Sequence, residues 1–185
     1  GETDAAILLV KHQSLWETFS MIALMPHPLA YVFKKELLQI PFFGWAIGSM
    51  DMIHIDRKQG TRAFGKVVEQ GKRLLDKGTW VIMFPEGTRS YGRGLLPFKT
   101  GAFHIAHQAK VPLVPICMSN TSKVRLNKWN NGRVIIEILP PVYPDAGIPA
   151  RELAETIRQQ MADKIKLLDS EVATDYTADS LTVTG

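Results

Sequence analysis

Trp80-Val81-Ile82-Met83-Phe84-Pro85-Glu86-Gly87-Thr88-Arg89-Ser90 sets an unbroken apolar run directly before a polar turn. A strand built from such a run has no polar face, so both of its sides need cover. Residues 5–10, 53–55, 113–118 and 134–139 are further short runs of β type, separated by stretches with helical spacing. This alternation predicts an α/β fold: a single domain with a mostly parallel or mixed sheet flanked by helices on both faces. Two helices stand out. Residues 61–77 carry Phe64, Val67, Val68, Leu74 and Leu75 on one side and run into Gly78, where a left-handed cap is expected. Leu153, Ile157, Met161, Ile165 and Leu168 mark a second helix, opened by Pro149.

The chain of 185 residues, 45% of them apolar, is long enough for one core and short for two. Residues 1–168 are read as the domain, and the acidic, Thr-rich residues 169–185 as a loose tail. That tail holds Asp169, Glu171, Asp175 and Asp179 and no basic residue, so the body is more basic than the net charge of +4. Residues 51–133 hold fifteen Lys or Arg against five acids, which favours phosphate-bearing partners such as anionic lipid, nucleotide or nucleic acid. Cys117 is the single cysteine, set in an apolar run, and reads as a buried thiol. No uninterrupted apolar run reaches the roughly eighteen residues of a membrane span. The opening Gly-Glu-Thr-Asp lacks signal-peptide features and an initiator Met, so an upstream segment is expected, with any membrane anchor in it. Ile40, Phe42, Phe43 and Trp45 beside Lys34 and Lys35 suit an interfacial patch as well as ordinary core.

His12 follows the apolar run 5–10, and strand ends are where α/β folds keep their chemistry. Glu17, in the first turn of a helix starting near Ser14, can turn back towards the imidazole and stabilise its protonated form. Ser14-Leu15-Trp16-Glu17 also matches a capping box, in which Glu17 satisfies a backbone amide. In the turn at residues 84–90, Gly87 lets the backbone approach a ligand, Thr88 and Ser90 offer hydroxyls, and Arg89 can grip a phosphate with two parallel bonds. Glu86 either orients a substrate hydroxyl or holds Arg89. Arg57, past the run 53–55, is a third basic candidate. His54, His104 and His107 are scattered, and no metal site is expected.

Together and in this order, these segments resemble the glycerophospholipid acyltransferase family, best represented by 1-acyl-glycerol-3-phosphate acyltransferases. The family pattern Asn-His-x4-Asp meets Lys11-His12-Gln13-Ser14-Leu15-Trp16-Glu17, with Lys11 for asparagine and Glu17 for aspartate. Gly-x-x-Phe-Ile-x-Arg meets Asp51-Met52-Ile53-His54-Ile55-Asp56-Arg57, with Asp51 and His54 as departures and Arg57 retained. Phe-Pro-Glu-Gly-Thr-Arg-Ser matches residues 84–90 throughout, and a Val-Pro-apolar-apolar-Pro run matches Val111-Pro112-Leu113-Val114-Pro115.

The resemblance implies transfer of a fatty acyl group to the free sn-2 hydroxyl of 1-acyl-glycerol-3-phosphate, giving phosphatidic acid. The donor is then acyl-CoA or acyl carrier protein, a co-substrate, with no cofactor. It implies His12 as base oriented by Glu17, with Arg57, Glu86, Gly87, Thr88, Arg89 and Ser90 binding substrate. It further implies a lysophospholipid acceptor, a membrane surface as partner, and a place on the cytosolic face of the inner or plasma membrane. Glycerol 3-phosphate or another lysolipid is the alternative acceptor, and a noncatalytic anionic-lipid-binding module the alternative class. A nucleic-acid partner is not expected, for want of a recognition motif.

Overall fold

β1 (Ile7–Val10) lies at the centre of the sheet because it is apolar at every position, and all four of its side chains are fully buried. Each such side chain contributes roughly 1.5–3 kcal/mol through lost contact with water. β4 (Trp80–Met83) and β5 (Leu113–Met118) flank it, both parallel. Beyond β4 come β2 (Leu29–Lys34) and β3 (Ile53–Ile55), also parallel, while β6 (Ile136–Ile138) is antiparallel to β5 at the other edge. The order is β3-β2-β4-β1-β5-β6. This computed structural model describes residues 5–14, 16–49, 51–55, 61–91, 93–119, 134–145 and 147–181.

Alternation along β1 sends Ile7 and Leu9 to one face and Leu8 and Val10 to the other. The first face packs under α3 (Thr61–Leu75), α4 (Gly101–Ala109) and α5 (Ala150–Leu181), through residues such as Val67, Phe103 and Ile157. The second lies under α1 (Trp16–Leu24), whose Met21 enters the core with Ile82 and Ile116. The α/β expectation, with a mixed sheet and helices on both faces, is therefore met. α2 (Phe43–Gly48) follows a 3-10 turn at Lys35–Gln39 and leaves Phe42 and Trp45 78% and 69% exposed, their rings edge-on at 5.3 Å.

Gly78 stops α3 as expected, with φ at +81°. Its amide donates to the Leu75 carbonyl at 2.9 Å and the Thr79 amide to that of Leu74 at 3.0 Å, the paired bonds of a Schellman cap. Two features differ from the sequence expectation. β2 lies outside the runs read as strands, although Leu29-Ala30-Tyr31-Val32-Phe33 is rich in strand-forming side chains and starts after Pro28. α5 continues through most of the segment expected as a loose tail, as far as Leu181. The apolar spacing simply extends: Val172 is buried like Ile165 and Leu168 before it.

Candidate active site

His12 and the turn after β4 meet because their strands are neighbours. In the parallel register Ile7 pairs with Val81 and Leu9 with Met83, an offset that carries His12 to Glu86. There the His12 amide donates to Glu86 Oε1 at 2.9 Å, and the Ser90 amide donates to the His12 carbonyl at 2.8 Å. The imidazole stacks on Phe84 with ring centroids 4.0 Å apart.

Burial, with the Arg89 guanidinium as the lesser cause, pushes the His12 imidazole down to about 4. The ring is therefore neutral at physiological pH, the form that can accept a proton. Its Nδ1 lies 4.0 Å from Glu17 Oε2 and makes no hydrogen bond. Glu17 is wholly buried and bound to its own helix start: Oε1 accepts the Gln13 and Ser14 amides at 3.2 and 3.1 Å, and Oε2 the Ser14 amide at 2.8 Å. The Ser14 hydroxyl in turn accepts the Trp16 amide at 3.0 Å. Of the two duties weighed for Glu17, the capping bonds are made, while the histidine stands just beyond bonding distance.

Glu86 is the second buried carboxylate, and burial pushes its carboxyl above the usual range against the pull of its hydrogen bonds. Its oxygens hold the amides of His12 and Leu96, each at 2.9 Å. It thereby ties the histidine to the loop after the turn, a duty not read from the sequence because it depends on the sheet register. Gly87 turns the chain with φ at +69°, and a side chain there would meet Lys99. Thr88 is exposed and Arg89 half-buried, whereas Ser90 is 0% exposed and its hydroxyl has no partner. Ser90 thus meets His12 through its backbone. Arg57 lies outside the described residues. Cys117 is buried and its thiol pushed up to about 12, chiefly by burial, which leaves it protonated. Among the described residues no group of three or more His, Cys, Asp or Glu gathers as metal ligands would.

A neutral histidine fixed at the end of parallel strands, near two carboxylates and a guanidinium, is an arrangement that can accept a proton from a hydroxyl. The sequence profile of the Acyltransferase family matches residues 2–119. The chain is 45% identical over 174 residues to the 1-acyl-sn-glycerol-3-phosphate acyltransferase of Escherichia coli (strain K12), covering 91% of this chain and 70% of that protein. With the enzyme of the same description from Haemophilus influenzae it shares 39% over 180 residues, covering 93% and 73%. The crystal structure of the 1-acyl-sn-glycerophosphate (LPA) acyltransferase, PlsC, from Thermotoga maritima superposes with a TM-score of 0.73 at 26% identity, covering 91% of this chain and 68% of that one. The chain belongs to the acyltransferase family and is an enzyme.

Proposed function

We propose that the protein transfers a fatty acyl group from a thioester, acyl-CoA or acyl carrier protein, to the free sn-2 hydroxyl of 1-acyl-glycerol-3-phosphate, yielding phosphatidic acid. The observation that carries this is the strand register that joins His12 to the turn bearing Arg89, through the His12 amide on Glu86 and the Ser90 amide on the His12 carbonyl. One group takes a hydroxyl proton, and the other is placed for the phosphate of the same acceptor. The acceptor oxygen gives its proton to His12 as it attacks the thioester carbonyl. The C–S bond breaks, and the leaving thiolate takes the proton back as a thiol. Glu17, drawn closer by about 1 Å when the ring is charged, stabilises the imidazolium. Arg89, Thr88 and the Gly87 backbone hold the phosphate, with Arg57 as a further anion ligand, while Glu86 and Ser90 keep that loop against His12.

Phe42 and Trp45, exposed beside Lys35, support a membrane surface as the place where the lysophospholipid acceptor is met. A thioester-release assay over a panel of lysophospholipids and glycerol 3-phosphate tests the acceptor. The 1-acyl-glycerol-3-phosphate should give the highest kcat/KM, and His12→Ala should lower kcat by about 10²–10⁴-fold with the fold retained. Undiminished turnover by that variant would overturn the mechanism.

A further inference from the structure

Lys99 lies across the turn that follows β4, and the reaction as proposed makes no use of it. Its backbone is fixed on two sides. The Lys99 amide donates to the Pro85 carbonyl at 2.8 Å, and the preceding Phe98 packs on the core beside Phe103, with ring centroids 6.4 Å apart. From there the lysine stem comes down onto Gly87. A Cβ at Gly87 would lie 3.9 Å from Lys99 Cγ, 3.0 Å from Cδ and 2.7 Å from Cε, so the approach tightens towards the charged end. The ammonium nitrogen stands one single C–N bond, about 1.5 Å, beyond Cε. This path needs the glycine, because a side chain at position 87 would take up the same space.

The turn beneath it holds unused donors. The Gly87 amide donates to the Phe84 carbonyl at 3.0 Å and the Ser90 amide to that of His12 at 2.8 Å, whereas the Thr88 and Arg89 amides between them donate to no described residue. Successive amides beside a left-handed residue, here Gly87 with φ at +69°, form a concavity that suits an anion. Lys72 and Lys164 meet Asp76 and Glu137 at 2.7 and 2.8 Å, but no described carboxylate pairs with Lys99. Glu86, the acid of the turn, has both oxygens engaged by the His12 and Leu96 amides.

We propose that Lys99 is a further binding residue of this site: its ammonium, laid over Gly87, joins Arg89 and the Thr88 and Arg89 amides as a ligand of a substrate phosphate. A phosphate monoester carries close to two negative charges at neutral pH, with three strong acceptor oxygens. A guanidinium fork meets two of the oxygens and one of the charges. Lysine, a compact point charge with three donors, meets what is left. The phosphate has two possible sources, the headgroup of the lysophospholipid acceptor and the phosphopantetheine arm of the thioester donor. Only the naming of these substrates rests on the proposed function.

The test uses Lys99→Met, which keeps the stem on Gly87 without its charge, and Lys99→Arg, which restores the charge, in the whole chain. Lys99 is exposed, so the fold should be kept; should the methionine variant not fold, Lys99→Gln carries the same comparison. Initial rates are measured with 1-acyl-glycerol-3-phosphate varied at fixed acyl-CoA, and then the reverse. In Lys99→Met one KM should rise about tenfold with kcat within about twofold of wild type, and Lys99→Arg should stay near wild type. A rise confined to the acceptor assigns the headgroup phosphate, and one confined to acyl-CoA assigns the donor's. Either, restored by arginine, upholds the proposal by itself. Equal rises in both KM values, a changed kcat with neither KM moved, or an arginine variant as impaired as methionine would overturn it. A second readout needs no turnover: Tm with about 50 mM inorganic phosphate against chloride of the same ionic strength. Wild type and Lys99→Arg should gain about 2 °C and Lys99→Met less than half of that. The general exclusion of phosphate from protein surfaces acts on all three alike. A lost phosphate shift with unmoved KM values upholds the anion site and counts against the substrate assignment instead. Unmoved KM values with equal phosphate shifts in all three proteins overturn the proposal.

Discussion

Glu17 Oε2 stands 2.8 Å from the Ser14 amide and 4.0 Å from His12 Nδ1, so the carboxylate that caps α1 is also the nearest anion to the base. Its two roles separate on substitution. Glu17→Gln keeps an oxygen for the Ser14 amide but carries no charge to meet an imidazolium. We expect Tm to change little while kcat falls about tenfold, or roughly 1.4 kcal/mol in the barrier. Circular dichroism melts beside steady-state kinetics check both, and unchanged kcat would leave Glu17 with the cap alone.

The depressed His12 pKa should be visible in two ways. The His12 ring resonances should titrate near pH 4 in NMR spectra, with little change from about pH 5 to 7. The unfolded chain, with an ordinary histidine near 6.5, binds more protons than the fold between about 4 and 6.5. Stability should therefore drop as pH falls through that window, by on the order of 3 kcal/mol. Denaturant titrations of wild type and His12→Ala at several pH values measure the difference, and the variant should lack this component of the slope.

Arg89 acts on the imidazole and, in the proposed reaction, holds the acceptor phosphate. Arg89→Ala should raise the KM of the acceptor at least tenfold more than that of the thioester donor, and move the His12 titration upward because one cause of its low pKa is gone. Initial-rate kinetics with each substrate varied in turn resolve the two. Equal effects on both KM values would argue against a phosphate contact.

Gly87, at φ +69° over Lys99, should not tolerate a side chain. In Gly87→Ala the Lys99 stem can swing aside, but the left-handed backbone remains, at a cost of about 1–2 kcal/mol. Differential scanning calorimetry should show Tm lower by a few degrees, about 2–4 °C per kcal/mol for a chain of this size. A greater loss of kcat/KM should accompany it, since the neighbouring Arg89 depends on this turn.

The apolar runs were legible as strands because β1, β4 and β5 are buried on both faces and leave a contiguous signal. β2 was not: Lys34 ends it, and Pro26 and Pro28 before it read as punctuation between helices. For the site, residues 84–90 announced themselves by chemistry, and His12 by its place after a strand. Glu86 as a clamp on two backbone amides, and Ser90 buried against the His12 carbonyl, were out of reach, since both depend on β1 and β4 being adjacent in one register. Lys11 reads in sequence as a substitution in a motif. Only the structure shows it to be buried.

The shared offset between Ile7 and Val81 and between His12 and Glu86 also tells an engineer where this enzyme can change length. Spacing within each pairing segment is rigid: deleting one residue between Met83 and Glu86 would shift the clamp by about 3.3 Å and turn it to the opposite side of the sheet. Connections that do not enter this pairing are free of that constraint. Grafts and insertions belong there, because the distance from base to anion grip is set by the ladder between two strands and not by the length of chain that joins them.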